Sequence, residues 1–114
     1  MRRGEVWWGA ASLAGGSRKR RPFLVVSADA FNRNDAYGKV MVVHLTSVRR
    51  TAGPFPWEVD LPKGTAGLPE PSTAKCGEIY TMLKAELAEL VGTVPDVVMS
   101  RVESAIAVAL GMRA

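Results

Sequence analysis

The residues with the clearest chemical potential form a basic run that ends at a proline. The segment SRKRRPFLVVS spans residues 17 to 27, and apolar, strand-forming residues follow its four consecutive cations at once. A guanidinium fixed where a loop meets a strand can donate two parallel hydrogen bonds to a phosphate group. We therefore expect this basic run to face a phosphate-bearing partner.

A second polar group lies in the most strand-like segment of the chain, KVMVVHLT at residues 39 to 46. His44 and Thr46 are two residues apart, so their side chains point to the same face of a strand. An imidazole at this place has a pKa suited to proton transfer. The alternative for His44 is a buried imidazole with a structural role, and the sequence leaves both interpretations open.

The composition excludes several other kinds of catalytic site. The chain has one His and one Cys, His44 and Cys76, which cannot form a zinc cluster. Motifs for nucleotide-binding loops are absent, and the scattered carboxylates lack the spacing of a two-metal site. A Cys–His nucleophile pair remains formally possible, although a lone Cys in an apolar strand is usually a core residue. We therefore predict no metal ion and no cofactor.

Cations, hydroxyl groups and one imidazole are poorly suited to activating water, but they can assist a substrate that carries its own nucleophile. RNA carries one, because its 2′-hydroxyl can attack the adjacent phosphate. That reaction requires a proton to leave the 2′-oxygen, negative charge to be stabilised on the phosphoryl oxygens, and a proton to reach the departing 5′-oxygen. A fixed guanidinium meets the second of these needs, because its fork donates two parallel hydrogen bonds to phosphate.

Length and charge describe a small basic protein. The chain has 114 residues, 47% of them hydrophobic, and a formal net charge of +4, which predicts one domain over residues 1–114. The acidic residues lie mostly in the second half, so the first half is the expected face for phosphate. A single Cys is typical of a reducing compartment. Without a signal peptide or a segment of transmembrane length, the sequence predicts a cytoplasmic protein.

These residues need a scaffold, and the hydrophobic pattern predicts one built mainly of strands. We expect strands over residues 5–10, 23–27, 39–46, 57–61, 72–82 and 87–94, with Pro22 opening the second of them and a loop over residues 11–19. Val98, Val102, Ile106 and Leu110 recur at a spacing of four residues and predict an amphipathic helix, with Ala109 widening the stripe. The predicted fold class is mainly β with α (α+β), a small antiparallel sheet or barrel with a C-terminal helix.

Short segments along nearly the whole chain resemble the MazF/PemK family of toxins. In chain order they are RGEVWW (3–8), RRPFLVVS (20–27), VVHLTS (42–47), GLPEPS (67–72), GEIYTMLKAEL (77–87), VGTVP (91–95) and LGM (110–112). The resemblance implies an SH3-like barrel, also found in the CcdB toxins, and the toxin of a type II toxin–antitoxin pair.

The same resemblance implies a function and a set of partners. Members of the family are homodimeric, metal-independent endoribonucleases that cut single-stranded RNA at short sequences and leave a 2′,3′-cyclic phosphate and a 5′-hydroxyl. A cognate antitoxin inhibits the enzyme, and contact with DNA is only indirect, through the antitoxin complex. The resemblance assigns catalysis to Arg21, before the proline, and to Thr46, at the end of the central strand.

The expected RNA-binding residues are Arg18, Lys19, Arg20, His44, Ser47 and Glu78. The alternative for Arg18, Lys19 and Arg20 is a solvated loop that binds no partner. Two departures from the family bear on specificity. The segment AGGSRKRRP lacks the acidic residue that many members carry before the arginine, and Glu78 stands where relatives often have Gln. Two other functions remain open: a CcdB-like, non-enzymatic gyrase poison, and a non-catalytic barrel that binds single-stranded RNA.

Overall fold

A computed structural model describes residues 1–12, 18–47 and 52–112 of the chain. Its elements are six β-strands, two α-helices and two 3-10 turns. The strands are β1 (Glu5–Ser12), β2 (Arg18–Val25), β3 (Lys39–Ser47), β4 (Glu58–Leu61), β5 (Ser72–Leu83) and β6 (Leu87–Thr93). The helices are α1 (Asp29–Asn32) and α2 (Asp96–Ala109), and the 3-10 turns are Thr65–Gly67 and Lys84–Glu86. Within this part of the chain, no helix is long and apolar enough to cross a membrane.

All six strands belong to one antiparallel sheet with the order β4-β5-β3-β2-β1-β6. The first strand therefore lies between its neighbour in sequence, β2, and the last strand, β6. The register sets Leu24 opposite Val43 and Phe23 opposite His44 between β2 and β3. The predicted class, antiparallel β-structure followed by a C-terminal helix, is confirmed.

Alternation along the strands gives the sheet a hydrophobic core on each face. Leu24 and Val43 belong to the first core, which α2 covers with Met99, Val102 and Ala105. The second core is formed by side chains on the other face of the same sheet. Its buried members are Phe23, Val25, Val40, Val42, Met82 and Leu87. Since the side chain of Phe23 is fully buried directly opposite His44, the second core anchors the strands at that point.

The sheet curls until the 3-10 turn Thr65–Gly67, which follows β4, packs against β6. The approach is closest at Gly92, where a Cβ atom would overlap the backbone carbonyl group of Ala66. This contact between two backbones closes the barrel on the side where β4 and β6 are the outer strands. Glycine is required at Gly92 because a side chain has no room there.

The predicted boundary between loop and second strand is wrong. Pro22 does not begin β2, which starts at Arg18 and pairs with β1 in the register Ser12↔Arg18. Residues 11, 12, 18 and 19 of the predicted loop therefore belong to strands, and residues 13–17 lie outside the described part. Proline is tolerated inside β2 because pairing with β3 begins only at Phe23.

The apolar stripe of α2 is confirmed in its middle and wrong at its end. Val102 and Ala105 are buried, and Val98 and Ile106 are half-buried, whereas Ala109 is exposed and Leu110 is 59% exposed. The last turn stands away from the sheet. A groove of about 290 Å³ separates it from the strands, with Val26, Met41 and Ile79 on the strand side.

Candidate functional site

The candidate site lies where β2 and β3 separate. The last pair of their ladder in this direction is Phe23↔His44. Continuing the register by two residues places Arg21 opposite Thr46, at the point where the two strands open. Both residues line the same cleft, which has a volume of about 490 Å³. The structure therefore brings together the two residues that the sequence assigned to catalysis.

The cleft combines apolar walls with polar groups at its rim. Its apolar lining consists of Trp8, Pro22, Leu45, Leu68 and Pro69, and its polar lining includes Arg20, Ser47, Glu70 and Ser72. Ser47, predicted to bind RNA, thus lies in the cleft at the exposed end of β3. Aromatic and apolar walls suit a nucleobase, and cations suit the phosphate beside it.

A hydrogen-bonded cluster of His44, Glu78 and Tyr80 lies on β3 and β5, where the Arg21 charge acts on it. The Nε2 atom of His44 lies 3.1 Å from Oε1 of Glu78, and the Tyr80 hydroxyl donates to the same oxygen at 3.2 Å. The rings of His44 and Tyr80 meet edge to face, with centroids 5.6 Å apart. His44 is only 6% exposed, whereas the Glu78 side chain is 51% exposed.

The electrostatics of the cluster favour a neutral imidazole. Burial lowers the pKa of His44 below its usual value, although the hydrogen bond and the charge of Glu78 oppose that change. The positive charges of Arg21 and Lys75 lower the pKa of His44 further. Burial, and then Glu78, raises the pKa of Tyr80, so its hydroxyl keeps its proton. Near pH 7 the imidazole therefore has one protonated ring nitrogen and one acceptor nitrogen.

The contact between His44 and Glu78 depends on an irregularity in β5. Across β3, Val43 pairs with Ile79 but Leu45 pairs with Ala74, so residues 75–78 lie opposite a single residue. A bulge of this kind bends the strand and redirects its side chains. It delivers Glu78 to His44, and Tyr80 follows on the same face. Sequence reasoning missed Tyr80, although its spacing of two residues from Glu78 was a usable signal.

Arg20 has partners within the chain. Its guanidinium pairs with the Glu89 carboxylate at 2.5 Å and lies 4.8 Å from the centre of the Trp8 ring. The side chain remains 59% exposed at the rim of the cleft. Arg20 is therefore held in a defined direction without being enclosed. Arg18 and Lys19 precede it in β2, and their assignment to RNA stays a prediction.

Cys76 is a core residue and takes no part in the cluster. It is fully buried in the first core, and burial raises the pKa of its thiol to about 11. At pH 8 about one thiol in a thousand is then ionised. We expect native protein to resist an aromatic disulfide reagent that modifies the urea-unfolded chain completely. Fast modification of the native thiol, followed by absorbance, would contradict this burial.

No three His, Cys, Asp or Glu side chains within residues 1–12, 18–47 and 52–112 are grouped so as to hold a metal ion. The candidate site consists of Arg21, Thr46 and the cluster of His44, Glu78 and Tyr80. These groups can bind a phosphate, orient it and hold protons at defined atoms. Such a set matches the charge stabilisation that internal attack on a phosphodiester requires.

The chain is similar to known proteins over nearly its whole length. Residues 2–110 match the family model described as the PemK-like, MazF-like toxin of type II toxin–antitoxin systems. The chain is 34% identical over 103 residues to Endoribonuclease MazF2 of Mycobacterium bovis, with 89% of each chain covered, and equally similar to Endoribonuclease MazF6 of Mycobacterium tuberculosis.

Solved structures show the same fold. A mycobacterial endoribonuclease in complex with its cognate antitoxin superposes with a TM-score of 0.80 at 29% identity, covering 100% of this chain and 98% of that one. MazF in the MazE–MazF complex (form II) from Deinococcus radiodurans gives 0.75 at 26% identity, covering 99% and 97%. The chain belongs to the PemK/MazF family of toxins of type II toxin–antitoxin systems.

Proposed function

We propose that this toxin is a metal-independent, sequence-specific endoribonuclease that cuts single-stranded RNA. The observation that carries the proposal is the presence of Arg21 and Thr46 in one cleft, in a chain that is 34% identical to named endoribonucleases. We further propose that it acts in the cytoplasm as a homodimer of single-domain chains.

The proposed reaction uses the nucleophile of the substrate. The 2′-oxygen attacks the adjacent phosphorus, the new O2′–P bond forms and the P–O5′ bond breaks. The 2′-hydroxyl proton passes to solvent, and the departing 5′-oxygen takes a proton, which yields a 2′,3′-cyclic phosphate and a 5′-hydroxyl. Arg21 stabilises the charge that grows on the phosphoryl oxygens, and the Thr46 hydroxyl donates a hydrogen bond to one of them.

The RNA backbone enters, in this proposal, along the basic start of β2. Arg18, Lys19 and Arg20 contact phosphates, while Ser47 and Glu78 contact the nucleotides on either side of the scissile bond. A cognate antitoxin inhibits the enzyme by covering the same cleft. Two similar proteins have been solved with their antitoxins, which supports a partner of this class.

Salt dependence tests the phosphate contacts. For single-stranded RNA, log affinity should fall with log salt at a slope of about −0.7 per neutralised phosphate. Since Arg20 stands exposed at the rim, Arg20→Ala should make the slope shallower by about 0.7. Arg101→Ala on the exposed side of α2 is the control. An unchanged slope for Arg20→Ala would mean that Arg20 contacts Glu89 and Trp8 but no phosphate of the RNA.

The activity itself is tested with purified protein and a mixture of single-stranded RNAs in EDTA. Products ending in a cyclic phosphate, lost in Arg21→Ala and reduced about tenfold or more in Thr46→Ala, would support the proposal. RNA that stays intact over varied sequences but is still bound would overturn the enzyme assignment in favour of passive RNA binding. RNA that is neither cut nor bound would favour the alternative of a CcdB-like gyrase poison.

A further inference from the structure

Two buried polar atoms beside the cleft have no hydrogen-bond partner within the described part of the chain. They are Nε of Arg21 and Nδ1 of His44. A buried polar atom without a partner is unfavourable, so two of them in one site require an explanation. Their chemistry supplies one, because the Arg21 atom is an N–H donor and a neutral imidazole has one acceptor nitrogen.

Glu78 determines which nitrogen of His44 is the acceptor. Its Oε1 lies 3.1 Å from Nε2, and a carboxylate only accepts hydrogen bonds. The proton of the neutral ring is therefore on Nε2, and Nδ1 has a free lone pair. The Tyr80 hydroxyl donates to the same Glu78 oxygen and fixes the carboxylate from a second direction. Glu78 thus converts Nδ1 into an acceptor.

The strands place Arg21 within reach of that acceptor. His44 pairs with Phe23, two residues beyond Arg21 on the same face of β2, so Arg21 and His44 are diagonal neighbours. Diagonal neighbours on adjacent strands are close enough for a long side chain to bridge. The Arg21 charge already acts on both His44 and Tyr80.

We propose that Glu78, His44 and Arg21 form a chain of hydrogen bonds that is completed when RNA binds. Glu78 accepts from Nε2–H of His44, and Nδ1 of His44 then accepts from Nε–H of Arg21. This contact turns the two terminal NH₂ groups of Arg21 toward the phosphoryl oxygens. His44 and Glu78 are positioning residues in this arrangement. The inference rests on the proposed ribonuclease function and names the groups that orient its arginine.

A matched pair of variants separates the two ring nitrogens. Asn at position 44 places a carbonyl oxygen near the site of Nδ1, whereas Gln places its amide near the site of Nε2. His44→Asn should therefore retain kcat within about tenfold, because the acceptor for Arg21 remains. His44→Gln should lower kcat about 100-fold, as expected when a reacting group is misplaced, with little change in KM.

The pH profile gives a readout that a purely structural His44 would not change. Protonation of Nδ1 removes the acceptor, so kcat of the wild type should fall as the pH drops through the lowered pKa of His44. The charged groups near the ring are Arg21, Lys75 and Glu78, and the titratable Tyr80 stays neutral because its pKa is raised. His44→Asn should lose this acidic limb. An unchanged limb in that variant would overturn the proposal.

An NMR measurement tests the chain of hydrogen bonds separately from the proposed ribonuclease function. In ¹⁵N spectra at pH 7.5, His44 should show protonated Nε2 and unprotonated Nδ1, and Glu78→Gln should perturb this tautomer. Addition of an uncleavable 2′-deoxy analogue should shift the Arg21 Nε–H signal in the wild type and in His44→Asn, but not in His44→Gln. If the wild type is active and His44→Asn and His44→Gln have equal kcat, the proposed chain of hydrogen bonds is overturned. A wild type without ribonuclease activity would overturn the function instead.

Discussion

Replacing Arg21 with alanine should lower kcat for RNA cleavage by about 100- to 1,000-fold, the usual loss when a principal donor to a developing oxyanion is removed. Arg21 and Thr46 line the same cleft, and the Nε atom of Arg21 is buried there. Because the negative charge on the phosphoryl oxygens grows in the transition state, the loss should appear in kcat more than in KM. Single-turnover assays with a short labelled RNA measure this step directly.

Two controls make the Arg21 result specific. Arg33→Ala removes an equal charge from the exposed end of α1 and should leave cleavage unchanged. Arg21→Lys keeps the charge but lacks the planar fork, so it should remain at least about tenfold slower than the wild type. Full activity in Arg21→Lys would mean that charge alone is sufficient, and full activity in Arg21→Ala would remove Arg21 from the mechanism.

The second large effect is expected at Gly92, where the barrel closes. Gly92→Ala should reduce the free energy of unfolding by about 3 kcal/mol or more, because the added methyl group meets the Ala66 carbonyl. The obstructing atoms belong to the backbone of the 3-10 turn and cannot rotate away as a side chain can. Urea unfolding followed by tryptophan fluorescence measures the change.

Gly38→Ala provides the matched control for Gly92. A Cβ atom at Gly38 would have no neighbour within 4 Å, and its backbone conformation is not left-handed. We expect Gly38→Ala to change the free energy of unfolding by no more than about 1 kcal/mol, with stabilisation as the favoured sign. Similar unfolding midpoints for both variants would show that the turn moves easily and that Gly92 is not a point of closure.

The sequence predicted the elements well because local patterns determine them. Period-two alternation and β-branched residues located the strands, and the spacing around Val102 located α2. The errors arose where contacts with distant parts of the chain determine the end of an element or the burial of a residue. Pro22 signals a strand start locally, but pairing with β1 extends β2 back to Arg18. Leu110 fits the apolar stripe, yet the groove beside the last turn leaves it exposed.

The candidate site was predictable in part for the same reason. Arg21 and Thr46 stood out by their residue types and by the family resemblance, and the strand register brings them together. The hydrogen bonds of His44 and Tyr80 to Glu78 had no sequence signal of equal strength, because they depend on the bulge in β5. No local propensity specifies that four residues of one strand oppose one residue of another.

The strand order also determines when the toxin can become active during its own synthesis. On its other side β1 pairs with β6, and this pairing joins residues as distant as Glu5 and Thr93. The groups around Arg21 come from β3 and β5, so they too are translated later. Folds dominated by such distant pairings have high contact order and fold slowly. A nascent chain on the ribosome therefore lacks an assembled site until β6 has been translated, which leaves an antitoxin made in the same cell time to capture it.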